Sequence, residues 1–262
     1  MKRYLSLYWT LIKLNWKALR EFPADSVTSI FSGLIWGVFM IVSLQLLFWQ
    51  IPSVAGWTRE GVVVLGAVYS VVVGLFRAIL SRNMDDMAKV IHMGELDVVL
   101  SKPIDTQFLL STRLINISGL VRVVVATIFI VWFLPHIGIH PTVIDLLLFG
   151  ALCLLSLLFL YGLYMSITAL LVWYSHTNNL VDIAESLLGT SRYPQGILQR
   201  APFIIASIFV PFFLIINVPS KALLHRMTEA DVVSLALVSV GTFLFSRFFW
   251  RYALRFYTGA GG

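Results

Sequence analysis

The sequence predicts an all-α integral membrane protein in which six transmembrane helices follow an N-terminal amphipathic interfacial helix. Composition is the first reason: 59% of the 262 residues are hydrophobic and only 12% are charged, whereas a soluble domain usually carries about 25% charged residues. The second reason is length, because six apolar segments approach the roughly 20 residues that cross a bilayer. The net charge of +6 therefore reflects orientation in a membrane, and nucleic-acid binding is not expected.

The first predicted domain, residues 1–22, is an amphipathic helix that lies at the membrane interface. Lys13, Lys17 and Arg20 recur at helical spacing on one face, and aromatic residues such as Trp16 lie on the other. A transmembrane helix here would place these cations in hydrocarbon at about 3 kcal/mol each. The sequence that follows has no small-residue cleavage site, which argues against a signal peptide. This helix is therefore expected to contact membrane lipid.

The second predicted domain, residues 23–262, contains the six spans. They run over about Val27–Trp49, Gly61–Leu80, Leu114–Leu134, Val143–Tyr174, Ala201–Val218 and Val232–Trp250. The fourth is longer than a bilayer requires, which indicates tilting or protrusion. Prolines at 202, 211 and 219 leave two interpretations of the fifth span open, because a proline either kinks a single helix or marks a broken, re-entrant one.

Lysine and arginine residues are concentrated on one side of this topology. The other side holds only Arg59, Lys221 and Arg226. The positive-inside rule then predicts that both termini, a loop at about residues 82–106 and the stretch "SHTNNLVDIAESLLGTSRYPQG" face the cytoplasm. Arg122 lies about two turns inside the third span, where snorkelling to the cytoplasmic interface is favoured over pairing within the bundle.

Motifs for catalysis and metal binding are weak in this sequence. "GVVVLGAV" has neither the lysine nor the Ser or Thr of a phosphate-binding loop. His136 and His140, in "PHIGIHP", fall in a predicted turn without Cys or carboxylate partners, so no metal site is expected. Hydrolase patterns are also missing. The chain is therefore expected to be neither an enzyme nor the holder of a cofactor.

Gly33 and Gly37, in "GLIWG", have the small-xxx-small spacing that allows two helices to approach closely. This pattern predicts a helix-packing face. Packing within the subunit and packing between subunits both remain open at this stage.

The charged stretch between the second and third spans reads "GELDVVLSKPIDTQFLLSTRL". A simple connection would need only a few turn residues. With the six spans and the interfacial helix, this stretch resembles the permease subunits of ABC exporters of the type-2 export class. "GTSRYPQGIL", the proline-rich fifth segment and the terminal "RYALRFYTGAGG" are similar to the viologen-exporter-like branch.

The resemblance implies that the charged stretch is a coupling helix, which contacts a separate ABC ATPase that binds ATP and Mg. The implied contact residues are Gly94, Glu95, Leu96, Asp97, Leu100, Lys102 and Pro103. Glu95 and Asp97 would face basic groups of the ATPase, while Leu96, Val99 and Leu100 would enter an apolar groove.

The resemblance also implies a second permease subunit, of the same or a related chain. The complex would export a small or lipophilic substrate across the cytoplasmic membrane of a prokaryote. The alternative is a secondary transporter or channel subunit, which would need acidic residues within the membrane. Asp145 and Asp231 lie only at the edges of predicted spans.

Overall fold

The computed structural model describes residues 2–21, 23–47, 53–173, 178–200 and 202–257. Apart from one hairpin, β1 (Ser53–Val54) with β2 (Trp57–Thr58), the regular elements of these residues are helical. The α-helices are α1 (Lys2–Glu21), α2 (Pro23–Leu47), α3 (Arg59–Phe76), α4 (Arg82–His92), α5 (Leu96–Leu100), α6 (Thr106–Thr112), α7 (Ile117–His136), α8 (Val143–Leu170), α9 (Asn178–Thr190), α10 (Phe203–Leu223) and α11 (Glu229–Ala253). A π-helix joins α3 to α4 (Arg77–Ser81), and two 3-10 helices cover Gln195–Arg200 and Leu254–Phe256.

Four helical stretches of the described chain are long and apolar enough to cross a membrane: Arg59–Ile91, Ile117–His136, Val143–Leu170 and Glu229–Phe256. Two shorter apolar stretches, Val27–Ser43 and Ser207–Leu223, lie in α2 and α10. The prediction of an all-α membrane protein is confirmed. The helix of the fourth predicted span, α8, has 28 residues and is about 42 Å long, which exceeds a hydrocarbon core of about 30 Å.

Helix α3 is at the centre of the bundle. Its sequence is apolar on every face, and nearly all of its residues are buried, as is typical of a helix enclosed by protein. It packs against α2, α7, α8 and α10. A movement of α3 would therefore displace side chains of these four helices.

Glycines allow α7 to approach its two neighbours closely. A Cβ atom at Gly33 would lie 2.5 Å from the backbone oxygen of Ser118, and one at Gly37 would lie 3.1 Å from Val125. A Cβ atom at Gly119 would lie 2.7 Å from the backbone oxygen of Gly74 in α3. The face formed by Gly33 and Gly37 therefore packs within the subunit, against α7.

Arg122 does not snorkel, so that prediction is wrong. Its side chain is buried between α7 and α3, with 5% of its surface exposed. The guanidinium carbon lies 5.5 Å from the ring centroid of Tyr69. The close contact of α3 and α7 one turn earlier encloses the side chain, and the aromatic face offsets part of the cost of burying the charge.

The fifth predicted span is one continuous helix, α10, which passes through Pro211 and Pro219. The break that the prolines suggested is therefore not in this span. It lies before it, between α9 and α10.

The prediction that residues 175–196 form a cytoplasmic loop is wrong for the second half of this stretch. Glu185 of α9 lies 3.9 Å from Arg77, at the end of α3 that leads to α4. A Cβ atom at Gly196 would lie 2.5 Å from the backbone oxygen of Ala55, in the hairpin at the opposite end of α3. The two ends of the 18-residue α3 are about 27 Å apart, so the chain enters the bundle between these contacts.

Candidate functional site

The site begins where α4 ends. Gly94 adopts a positive φ of 70°. The N–H of Glu95 donates to the carbonyl of Val90 at 3.0 Å, and the N–H of Gly94 donates to that of Ile91 at 3.2 Å. This is a Schellman motif, in which a left-handed residue ends a helix and glycine is strongly preferred. Gly94 therefore fixes the direction in which the chain leaves α4.

Helix α5 presents a charged face and buries an apolar one. Glu95 and Asp97 are exposed, and Val98 is 63% exposed. Leu96 and Val99 are buried, with 0% and 6% exposure. The expectation that Leu96 and Val99 fill a groove on another protein is therefore corrected: they fix α5 to its own chain.

Between residues 93 and 103, the large apolar side chains that remain available for a partner are Met93, Val98 and Leu100, with exposures of 68%, 63% and 38%. Lys102 and Pro103 are also exposed, just after α5. The exposed set thus combines carboxylates, a cation and apolar side chains on one surface. Such a mixture is suited to contact with a protein.

Asp105 fixes the far end of this segment to α11. One carboxylate oxygen accepts a hydrogen bond from the N–H of Phe108 at 3.0 Å, which caps α6. The carboxylate also forms a two-point ion pair with Arg247, whose guanidinium donates to Gln107 at 2.9 Å. The hydrogen bond from Arg247 is the main reason why the pKa of the Asp105 carboxyl lies below its usual range.

Two asparagines hold residues 113–116, which connect α6 to α7. The side chain of Asn83 is fully buried; it donates to the carbonyl of Leu114 at 2.7 Å and accepts from the N–H of Leu114 at 2.8 Å. Asn15 of α1 donates to the carbonyl of Arg113 at 2.8 Å and accepts from the N–H of Ile115 at 3.1 Å. The connection to α7 is therefore held by α4 and α1 together.

Two further contacts secure the same connection. Arg113 forms an ion pair with Asp86 of α4. The N–H of Asn116 donates to the carbonyl of Ala78 at 2.9 Å. Ala78 lies in the π-helix, where the wider turn alters the usual pairing of backbone groups. The π-helix thus contributes to the junction between α3 and α7.

Helix α1, which the sequence predicts to be interfacial, lies beside this junction through Asn15. Lys13 and Lys17 are exposed. Trp16 and Arg20 belong to α1, but their side chains lie outside the described residues. Asn15, Asn83 and Arg247 were missed by the sequence analysis. A polar residue within each helix was the available signal, but its distant backbone partner is specified only by the fold.

The site has the features of a docking surface. In the described part of the chain, no group of His, Cys, Asp and Glu side chains is arranged to hold a metal ion. The exposed α5 is instead attached to α4 at one end and, through Asp105 and residues 113–116, to α11, α1 and α7 at the other. A force applied to α5 would reach four helices.

This fold and this surface define a class: a multi-pass, all-α membrane protein with a short charged helix held rigidly at one end of its bundle. The chain matches the family described as "ABC-2 family transporter protein" over residues 34–261, and it belongs to that family. It is thus a permease component of an ABC transporter, a class that implies a partner ATPase component. No curated protein matches the chain, and no solved structure does.

Proposed function

We propose that this chain is the membrane-spanning subunit of an ATP-driven exporter, and that residues Gly94–Pro103 are its coupling segment. The coupling segment contacts a separate ATPase subunit, which binds ATP and Mg and hydrolyses the nucleotide. A second permease subunit, of the same or a related chain, completes the complex. Its motifs are similar to those of the viologen-exporter-like branch. The exposed charged face of α5, on a rigidly held segment, is the observation that carries the proposal.

The mechanism follows from the attachments of the coupling segment. Movement of the ATPase displaces α5, and the Schellman turn at Gly94 transmits the displacement to α4 and the π-helix. The pair Asp105–Arg247 carries it to α11. Residues 113–116 carry it to α7. Since α3 and α7 are in close contact at Gly74 and Gly119, the displacement reaches the centre of the bundle.

A small or lipophilic substrate is consistent with a cavity of about 570 Å³ between α6, α8 and α11. Leu154, Leu157 and Phe243 line its apolar part, and Arg247 and Asp105 lie in its wall. This volume falls in the range of sites for small molecules. A ligand there would also contact the anchor of the coupling segment.

The proposal places the chain in the cytoplasmic membrane of a prokaryote, with both termini and the coupling segment in the cytoplasm. The distribution of Lys and Arg supports this orientation. Cysteines at Ser101 and at Ser53 provide the test, since these residues are exposed at opposite ends of the bundle. In intact cells an impermeant thiol reagent should label the cysteine at Ser53 and not the one at Ser101. Labelling at Ser101 alone would reverse the orientation.

The function is tested by reversing the charge of the coupling segment. In a Glu95→Lys/Asp97→Lys variant, two cations would face a basic surface of the ATPase. Like charges in an interface cost several kcal/mol, so the ATPase should no longer co-purify and export should be lost, with normal amounts of the variant in the membrane. The matched control is Asp182→Lys/Glu185→Lys on α9, whose effect should be smaller. Unchanged ATPase binding and export in the first variant would contradict the proposal.

A further inference from the structure

The connection between α9 and α10 has an unusual position for a polar stretch. Residues 191–196 read "SRYPQG", and the first four lie in neither α9 nor the following 3-10 helix. We call residues 191–196 the inner connection. Its location follows from three contacts.

Asn217 of α10 holds the inner connection in place. Its side chain is fully buried; it donates to the carbonyl of Tyr193 at 3.2 Å and accepts from the N–H of Gln195 at 2.8 Å. It also donates to the carbonyl of Phe213 within its own helix at 3.0 Å. Asn15 and Asn83 hold residues 113–116 in the same manner, so this is a recurrent way of fixing non-helical backbone in the chain.

The depth of the inner connection is set by α8. Ser156, at the midpoint of α8, donates to the carbonyl of Ile215 at 2.7 Å. Ile215 is two residues before Asn217, so Tyr193 and Gln195, which contact the Asn217 side chain, lie between the middle of the bundle and the end that carries the hairpin. Gly196 then contacts the hairpin at the end of the bundle that is opposite to the coupling segment. The inner connection is therefore at membrane depth.

Non-helical backbone at membrane depth is tolerated only where protein buries it or where it lines a water-filled cavity. Both conditions are met here. Ser191 and Pro194 are buried, whereas Arg192, Tyr193 and Gln195 are only half-buried. Gln195 and Gly196 also line a cavity of about 460 Å³ that extends to Lys221 and Asp231. The Gln195–Gly196 end of the inner connection is therefore open to this cavity.

Arg192 is the charged residue of the inner connection. Its guanidinium lies over the ring of Tyr193, at 5.2 Å from the ring centroid. Its Nε atom is buried and has no hydrogen-bond partner among the described residues, and Arg192 takes part in none of the ion pairs found in that part of the chain. An ionisable residue at membrane depth is a candidate for a functional site. Arg122 is enclosed against Tyr69, whereas Arg192 is only half-buried and can be reached by a ligand.

We infer that the inner connection lines the substrate path and that Arg192 binds an anionic or strongly hydrogen-bond-accepting group of the substrate as it passes. The planar guanidinium suits carboxylate and phosphate groups. This inference rests on the proposed transport function, because only a transported molecule needs to reach this depth. It assigns to the path a residue outside both the coupling segment and the apolar cavity beside Arg247.

Thiol labelling tests the inference without requiring transport. The single cysteine of the chain, Cys153, is 3% exposed, so background labelling is low. Thr190→Cys places a thiol next to the inner connection. Leu147→Cys, on the exposed face of α8 (69% exposed), is the lipid-facing control. The full-length protein is reconstituted in lipid nanodiscs and treated separately with an anionic and a cationic methanethiosulfonate.

The anionic reagent should modify Thr190→Cys at least about tenfold faster than the cationic one, as expected beside one uncompensated charge in a partly screened site. Leu147→Cys should react with neither. Adding Arg192→Gln should remove the preference, and Arg192→Lys should retain it. No reaction at Thr190→Cys would overturn the path, and equal rates for both reagents would overturn the role of Arg192. Failure of the wild-type protein to bind an ATPase would instead count against the proposed function.

Discussion

The asparagine that holds residues 113–116 to α4 offers a test of how the coupling segment is anchored. Replacing Asn83 by leucine keeps the approximate volume of the side chain and removes its hydrogen bonds at 2.7, 2.7 and 2.8 Å. The N–H and C=O groups of Leu114 then lose their partner. Each unsatisfied buried group costs about 1–3 kcal/mol. Because Leu114 is only half-buried, we expect a total loss of about 2–4 kcal/mol.

Thermal unfolding of the purified complex in detergent measures this loss. At about 2–4 °C per kcal/mol for a chain of this size, the Tm should fall by roughly 5–15 °C. Asn15→Leu is the matched control: it removes the analogous bonds to Arg113 and Ile115 from a half-buried position, so its effect should be smaller. An Asn83→Leu variant with a wild-type Tm, or with a smaller decrease than Asn15→Leu, would refute this account of the anchor.

Three further predictions concern single residues. Gly94→Ala should weaken ATPase binding, because a non-glycine residue in the left-handed conformation costs about 1 kcal/mol and the Schellman turn sets the direction of α5. The control is Gly241→Ala, where a Cβ meets nothing within 4 Å, and this variant should bind the ATPase normally. Gly119→Ala should lower the yield of folded protein in size-exclusion chromatography, because its Cβ would meet the backbone of α3; a wild-type elution profile would contradict the packing. The pKa of the Asp105 carboxyl is lowered, so its ion pair stabilises the fold above the ordinary carboxyl pKa of about 4, and this stabilisation is lost as the pH falls through the pKa in the folded protein. Asp105→Asn should therefore reduce the dependence of Tm on pH in this acidic range. An unchanged dependence would count against the ion pair.

The class of fold could be predicted from composition and from the length of apolar segments, since both are set by the bilayer. In the described part of the chain, four long apolar helical stretches and two shorter ones overlap the predicted spans. The packing face at Gly33 and Gly37 was also visible in the sequence, although its partner, α7, was not.

The position of residues 191–196 could not be predicted, because their polar composition is equally suited to a cytoplasmic loop. Their backbone is bound by a buried side chain of the following α-helix, Asn217, through Tyr193 and Gln195. Arg122 was misjudged for a related reason: its distance from the end of the helix favoured snorkelling, whereas its surroundings depend on how α3 and α7 meet. Helical periodicity also could not specify which side of a five-residue helix such as α5 is buried.

The central claim is that the coupling segment contacts a separate ATPase. A photoreactive amino acid at Val98, which is 63% exposed on α5, tests it most directly, with Ala55 in the hairpin at the opposite end as the control position. Irradiation of native membranes should join Val98 to a polypeptide that peptide mass spectrometry identifies as an ABC ATPase, and Ala55 should give no such product. A coupling segment that forms no crosslink to an ATPase, in membranes where the transporter is active, would contradict the account.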